Sequence, residues 1–459
     1  EAEWQTITNR FAPKMEMMRN RLLITTVFFL SAFLLHAQVE LKSGPMLGHV
    51  DLREACVWVQ TKDAQKVLLT YWAKGDTVYN EVIAETNQEN HFISHLILTD
   101  LEPATTYYYI FGNPKYRREM HQQFEFTTQT LWQYRADPPP FRLATGSCTF
   151  INEAKYDRPG EPYGGDMSIF DTIAAHNPDL MLWLGDNIYL REVDFGSKSG
   201  IYHRYDHMRE QAGLKKLMAD CPNYAIWDDH DFGPNDANGS YVHKDWTLQA
   251  FKDYWANPSY GVPGVENGLG ITTQFQFQDV DFFLLDNRYH KVAPDVEGRD
   301  STTLLGDEQI EWLIQALKYS RAPFKMVAIG GQFLNPVSKF ENYANYSKER
   351  QYIIDAIEKN NIKGVIFLTG DRHCGELSEL KLANGEVIYD LTVSPLTSKA
   401  YDFTTEENTL RTPGTVVPER HFATLDFSGP LKERKLVIAV WNGKGEKKWT
   451  KIIEQSKTK

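Results

Sequence analysis

Two hydrophobic rhythms divide the chain. Between residues 38 and 135, short runs rich in Val, Tyr, Phe and Leu alternate partially with polar residues, and no long amphipathic stretch interrupts them. The runs at 56–60, 66–72, 91–98 and 106–111 read as strands, because alternation with a period of two buries one face of a strand. The prolines at 138–140 mark a boundary. Beyond them, apolar runs at 142–148, 179–185, 224–228, 281–286, 325–329 and 364–369 alternate with helical patterns at 166–176, 201–219, 245–256, 307–319 and 348–359. In the first of these helices Ile169, Phe170, Ile173 and Ala174 fall on one face. Such alternation predicts an α/β domain whose helices cover a mainly parallel core. The tail returns to strands at 422–427, 436–441 and 448–453, and no internal repeat or low-complexity tract is visible.

The expected layout is an N-terminal extension over 1–37, a small β-sandwich over 38–135 and the α/β domain over 136–459. Leu101-Glu-Pro-Ala-Thr-Thr-Tyr-Tyr-Tyr resembles the start of a late strand in an immunoglobulin- or fibronectin-like sandwich, where a Tyr hydroxyl ties down a corner; Tyr107 or Tyr109 is expected to serve. At the N-terminus, Arg19 and Arg21 precede an apolar run over 22–35, and Ala37 offers a small residue for cleavage. That reads as a secretory signal, with Met15, Met17 or Met18 as the expected start. At 14 residues the run is shorter than the roughly 20 needed to span a bilayer; a retained anchor is the alternative. The mature chain is therefore expected to be periplasmic or secreted, with no membrane span.

Composition is that of a soluble globular protein, with 42% hydrophobic and 24% charged residues. The net charge of −12 argues against a general binder of nucleic acid, which it would repel at long range. Cys56, Cys148, Cys221 and Cys374 form an even set that invites disulfides in an exported chain, but their wide spacing is unlike a disulfide framework.

The chemistry gathers at strand ends. Successive strands run into Gly146-Ser-Cys148, Gly185-Asp-Asn-Ile-Tyr189, Trp227-Asp-Asp-His-Asp231 with Asn235 beyond, Leu285-Asp-Asn-Arg288, Ile329-Gly-Gly-Gln332 and Gly370-Asp-Arg-His373. Ligands of α/β folds bind where the carboxyl ends of strands converge. Asp186, Asp229 and Asp371 would supply oxygen, His230 and His373 imidazole, Cys148 thiolate and Tyr189 phenolate. Carboxylates brought so close repel one another unless cations intervene, and such mixed donors suit iron, manganese or zinc, with calcium or magnesium at oxygen-rich positions. Singly, each motif has a plainer reading: a turn at Gly-Asp, a core cysteine, a helix cap at Asp228-Asp229, a salt bridge at Arg288. Their coincidence at one strand end after another favours a site. His203, Asp206 and His207 share a helical face and are expected to be solvated. Cys374 and Cys56 are expected to be packing residues.

Taken as an ordered set, these motifs resemble the metallophosphoesterase (calcineurin-like) superfamily and, more closely, the PhoD-like alkaline phosphatase family. Ser43-Gly-Pro45 with Val57-Trp58 resembles that family's N-terminal module, so the resemblance runs from about residue 43 to the C-terminus. It implies a metallophosphoesterase-like α/β catalytic domain behind an immunoglobulin/fibronectin-like sandwich, and a mixed centre of iron and calcium. Cys148, Asp186 and Tyr189 would surround the iron, with Asp229, Asp371 and His373 completing the metal ligands. His230 would be the catalytic acid, oriented by Asp228 or Asp231, and Arg288 would neutralise charge on phosphoryl oxygens. Asn235, Gln332 and Arg372 are further candidates for substrate contact; Gln332 stands where relatives carry a His. No twin-arginine pair precedes the apolar run, which favours export of an unfolded chain.

The activity so implied is hydrolysis of phosphate monoesters, or of diesters, by a metal-activated hydroxide, on small-molecule or lipid esters. One rival is a phosphodiesterase or phospholipase D-type enzyme with the same metals, decided by the loops at 190–222 and 395–420. Another is an exported binding protein without catalysis.

Overall fold

The first seven strands are β1 (Leu41–Val50), β2 (Ala55–Thr61), β3 (Gln65–Ala73), β4 (Asn80–Thr86), β5 (Ile93–Leu98), β6 (Thr106–Phe111) and β7 (Phe124–Thr127). The computed structural model describes residues 39–112, 122–265, 268–294 and 302–456; the secretory-signal reading of residues 1–37 lies outside them. These strands form a three-stranded sheet ordered β1-β2-β5 and a four-stranded sheet ordered β4-β3-β6-β7. Val57, Val59, Val67, Leu69, Leu96 and Tyr109 fill the space between them. The pattern missed β1, which carries Gly44, Pro45 and Gly48, and also β4, whose exposed side mixes Glu81 and Glu85 with Ile83, and the four-residue β7. Tyr107 is the corner residue: its hydroxyl accepts from the Glu102 N–H at 2.8 Å, whereas the buried Tyr109 hydroxyl has no hydrogen-bond partner among the described residues.

The second part runs β8 (Phe141–Gly146), α1 (Ser168–Ala175), β9 (Leu180–Leu184), α2 (Lys198–Arg209), α3 (Ala212–Asp220), β10 (Asn223–Ile226), α4 (Asp229–Phe232), α5 (Lys244–Tyr254), β11 (Thr273–Phe277), β12 (Val280–Leu284), α6 (Asp307–Tyr319), β13 (Lys325–Ile329), α7 (Ser347–Lys359), β14 (Val365–Thr369), β15 (Glu376–Lys381), β16 (Val387–Thr392), β17 (His421–Ser428), β18 (Lys435–Asn442) and β19 (Lys447–Glu454). They make two six-stranded sheets, β10-β9-β8-β17-β18-β19 and β11-β12-β13-β14-β16-β15. The expected mainly parallel core is thus corrected to two mixed sheets. β8-β9-β10 and β12-β13-β14-β16 are parallel, while β11, β15 and the β17–β19 tail pair antiparallel. The short β11–β12 and β15–β16 connections impose that direction, since parallel neighbours need a long crossover. Phe282, Leu284, Met326 and Ala328 face the core shared by the two sheets; the alternate Phe283, Val327 and Ile329 pack under α6 and α7.

Three further expectations change. The single helix at 201–219 is two, because Gln211 is extended (φ −69°, ψ 123°) between α2 and α3. All four cysteines are buried and unpaired. The helix face of His203, Asp206 and His207 is not solvated throughout: Asp206 accepts from Lys42 at 2.6 Å, Gln60 at 2.8 Å, His91 at 3.1 Å and the Tyr254 hydroxyl. Lys42, Gln60 and His91 come from the first module, so Asp206 pins it to the second. Around that pin, Trp58 Nε1 donates to the Asp253 carbonyl at 2.7 Å, and the Arg209 guanidinium lies 5.2 Å over Trp58 and 4.3 Å over Trp255. Met46, Cys56, Trp58 and Ile93 belong to the same apolar core as the large sheets. Among the described residues, no helix is long and apolar enough to cross a membrane.

Candidate metal centre

The parallel strands of both sheets end at one mouth. Cys148 lies two residues past β8, Asp186 two past β9, Asp229 at the start of α4 behind β10, and Asp371 and His373 two and four past β14. Their donor atoms form overlapping groups: Cys148, Asp186 and His373; Asp186, Asp229 and His230; Asp228, Asp229 and Asp371; within each, the atoms lie within 4.8 Å of one another. Asp186 and Asp229 each belong to more than one group, so neighbouring cation positions would share carboxylates. Cys148, Asp186, Asp371 and His373 all have positive φ, between 50° and 62°. A non-glycine residue there costs about 1–3 kcal/mol, and such strain clusters at functional sites. Gly185 (φ +85°) and Gly370 let the strand ends approach: a Cβ on either would sit 2.7 Å from Asp228 Cβ or the Leu184 carbonyl respectively.

Around this cluster, Cys148 Sγ lies 3.4 Å from Asp186 Oδ2 and accepts from the Ser394 hydroxyl at 3.1 Å. The Tyr189 hydroxyl is 3.1 Å from His373 Nε2 and accepts from Ser398 at 3.0 Å. The Tyr189 and His230 rings lie 4.2 Å apart. Burial and the surrounding carboxylates raise Asp186 and Asp371 well above the usual carboxylate range. Burial, then Asp186, pushes the Cys148 thiol and the Tyr189 phenol up as well. Burial lowers His230 and pushes His373 down to about 4. Burial works against Asp229 too, but His230 and Arg288 outweigh it and hold that carboxyl low. Among the described residues, Asp228 Oδ2 and Asp229 Oδ1 are buried with no hydrogen-bond partner. A buried oxygen left unsatisfied costs about 1–3 kcal/mol. The donor set therefore fits cations: a positive ion would satisfy the orphaned oxygens and reverse the pressure that keeps thiol and carboxyls protonated.

Arg288 is engaged by acids of the chain itself. It is 1% exposed. Its Nε donates to Asp228 Oδ1 at 2.6 Å and its Nη1 to Glu341 at 2.8 Å, with Nη2 bonded to both. Lys291 also pairs with Glu341. The fork is spent inside the centre. Nor does Asp228 or Asp231 lie on His230. Asp231 accepts from the backbone N–H groups of Asn187 and Asp228, at 3.2 and 3.0 Å, and the carboxylate paired with His230 Nε2 is Asp229, at 4.0 Å.

A family model described as PhoD-like phosphatase matches residues 143–432. The chain belongs to that family. A second model, for a domain of unknown function (DUF7800), matches residues 38–113. Alkaline phosphatase D of Bacillus subtilis (strain 168) is 26% identical over 331 residues, 62% of this chain and 54% of that protein, so the match spans about half the length of this curated relative. A solved structure of PhoD superposes with a TM-score of 0.71 at 19% identity, covering 92% of this chain and 93% of that one, and so shares the fold.

Every strand-end motif of this PhoD-like chain lies inside the matched stretch. The remaining candidates divide. Asn235 is exposed in the loop after α4. Gln332 and Arg372 are buried in a network of their own: Arg372 donates to Gln332 at 3.0 Å, Asn342 at 2.8 Å and Glu406 at 2.8 Å, and Gln332 donates to Glu376 at 2.6 Å. Sequence reasoning left out Asp228 as a cluster member, together with Glu341 and Asp236, which group with Asp229. It also left out Tyr163, whose hydroxyl is 3.2 Å from His373 Nδ1. Asp228 was visible beside Asp229. Tyr163 and Glu341 sit in loops away from any strand end, with no pattern to mark them.

Proposed function

We propose that this chain is an exported, metal-dependent phosphoric ester hydrolase of the metallophosphoesterase type, with the boundary between its sandwich module and its catalytic domain near residue 135. The carrying observation is the set of overlapping donor groups, in which Asp228 Oδ2 and Asp229 Oδ1 are buried and make no hydrogen bond among the described residues. Cys148, Asp186, Tyr189 and His373 would hold one cation, and thiolate with phenolate suits iron; Asp228, Asp229 and Asp371 would hold another, and all-oxygen donors suit calcium. When bound, such cations supply Lewis acidity toward a phosphoryl oxygen and acidify water to near neutrality. The apolar run behind Arg19 and Arg21 supports export.

The chain's own residues would do the rest. His230, with a side chain 23% exposed, is more open than its carboxylate partner Asp229 at 3%. An arriving phosphate ester brings negative charge that favours the protonated imidazole, and His230 then passes that proton to the leaving oxygen. Arg288 acts as a positioning residue, holding Asp228 and Glu341 against each other's repulsion, in place of a direct clamp on phosphate. Asn235 at the rim remains a candidate for substrate contact.

The test is elemental analysis of purified protein with a panel of aryl monoesters and diesters. Bound metal, loss of turnover on chelation and recovery on add-back are expected, with a visible colour if Tyr189 meets ferric iron. Full turnover by metal-free protein would sink the proposal. The panel decides between monoester and diester.

A further inference from the structure

Beside the centre runs a strip of aromatic rings that the chemistry above does not use. Tyr401 lies parallel to the His373 imidazole, with centroids 5.7 Å apart and planes at 9°, and its N–H donates to the His373 carbonyl at 2.9 Å. Phe403 follows at 6.4 Å from Tyr401, and Phe340 at 5.8 Å from Phe403. The strip thus leads outward from a candidate metal ligand, and it ends beside Glu341, which pairs with Arg288 and Lys291.

Two features of Phe340 point to a ligand. It is 64% exposed, and Tyr401 is 40% exposed, so large rings face water where packing does not require them. Phe340 also holds a left-handed backbone (φ 50°), unusual for a bulky side chain and costly by about 1–3 kcal/mol. The surrounding structure keeps the ring in place. The Arg372 guanidinium lies 4.9 Å from the Phe340 centroid and 4.7 Å from that of Phe403. Gln332, Asn342 and Glu406 fix that guanidinium in turn. An exposed ring seated on an immobilised cation is a preorganised face for stacking, which contributes about 1–3 kcal/mol per planar ring.

We propose that the exposed Phe340 ring is a stacking platform for a planar aromatic arm of the phosphate ester, flanked by Phe403 edge-on at 68° and by Tyr401 beyond it, with Arg372 and its partners supporting the rings. This rests on the hydrolase reading of the adjacent centre. The platform selects esters of aryl alcohols or of nucleosides over alkyl esters.

The metal-loaded full chain would be assayed on phenyl, adenosyl and n-propyl esters of the same phosphate class. The quantity read is kcat/KM for each aromatic ester divided by that for the propyl ester. Intrinsic leaving-group reactivity cancels when a variant is compared with the parent. F340A is expected to lower the ratio about tenfold, the change that 1.4 kcal/mol of stacking makes. F340N, a side chain that tolerates left-handed backbone, is expected to do the same with the loop undisturbed, and F340W to restore the ratio. Whichever of the phenyl and adenosyl ratios falls further names the source of the ring. Ratios unchanged in both F340A and F340N overturn the platform while leaving the hydrolase intact. A parent that turns over none of the esters removes the hydrolase reading and the platform with it.

Discussion

Asp206 and Asp186 are both buried carboxylates, and their surroundings are opposite. Asp206 meets Lys42, His91, Gln60 and Tyr254. Burial alone would raise its pKa, but those donors outweigh it and hold the carboxyl well below the usual range. Asp186 meets Asp229, Asp228, Asp231 and Asp371, and burial with those carboxylates drives it up. A structural acid is surrounded by what it needs. The acids of the centre crowd one another with only Arg288, Lys291 and His230 as counter-charge, an arrangement that suits added cations. The same contrast separates the two arginines most deeply involved: Arg209 is stacked between tryptophans as packing, and Arg288 is forked between acids as counter-charge.

The contrast can be broken by substitution. D186N is expected to lose metal on elemental analysis and to reduce turnover by more than about a thousandfold, since the shared carboxylate and the electrostatic stabilisation it organises go together. Full occupancy in that variant would remove Asp186 from the ligand set. H230A is expected to keep its metals and lose about 10²–10⁴-fold in kcat on esters with poor leaving groups, the usual worth of a positioned proton donor. Unchanged kcat would take His230 out of the chemistry. D206A should leave metal content alone and destabilise the fold by about 3–5 kcal/mol, the cost of stripping one partner from a buried ion pair, read as a lower denaturation midpoint. In chelator-stripped protein, by contrast, D186N should raise Tm by a few degrees, because it removes the cost of burying a carboxyl among other carboxyls.

The smallest effect is on pH. Asp231 is pushed up to about 7 by burial, and Asp186 and Asp371 lie above their usual range. The stripped folded chain therefore holds protons that the unfolded chain has lost. Its stability should fall as pH rises toward 7, by at most about 1.4 kcal/mol per pH unit for the Asp231 proton, and the fall should fade once pH passes 7. Histidines with lowered pKa oppose that fall below about 6.5, where they are charged in the unfolded chain only. Metal-loaded protein should show a flatter profile in the same melting experiment, and equal slopes would count against cations at the cluster.

Much of this centre was legible in the sequence because strand ends are. A short apolar run that stops at Gly-Asp or Gly-Ser-Cys announces both a strand and what lies at its carboxyl end, so Cys148, Asp186, Asp229, Asp371 and His373 could be gathered without coordinates. Loops carry no such period. Glu341 and Tyr163 reach the centre from segments whose course is set by tertiary packing, and Arg288 looked free because nothing in its own stretch names Glu341 as a partner. The long helices and most central strands were readable to within a few residues, whereas the central β16 was not read. The edge strands β4, β7 and β15 were not, since their apolar and polar positions alternate weakly. Asp206 was misread for a similar reason: helical spacing says which residues share a face, not what that face touches.

The seam between the modules has a consequence for dissection. Trp58, Met46 and Ile93 lie in the larger apolar core, with Asp206 at its margin. A chain cut near residue 136 would carry a greasy, acid-bearing scar where β1 and β2 had been. Such a fragment should come out of the cell as aggregate, and limited protease treatment of the intact protein should not release it as a tidy half.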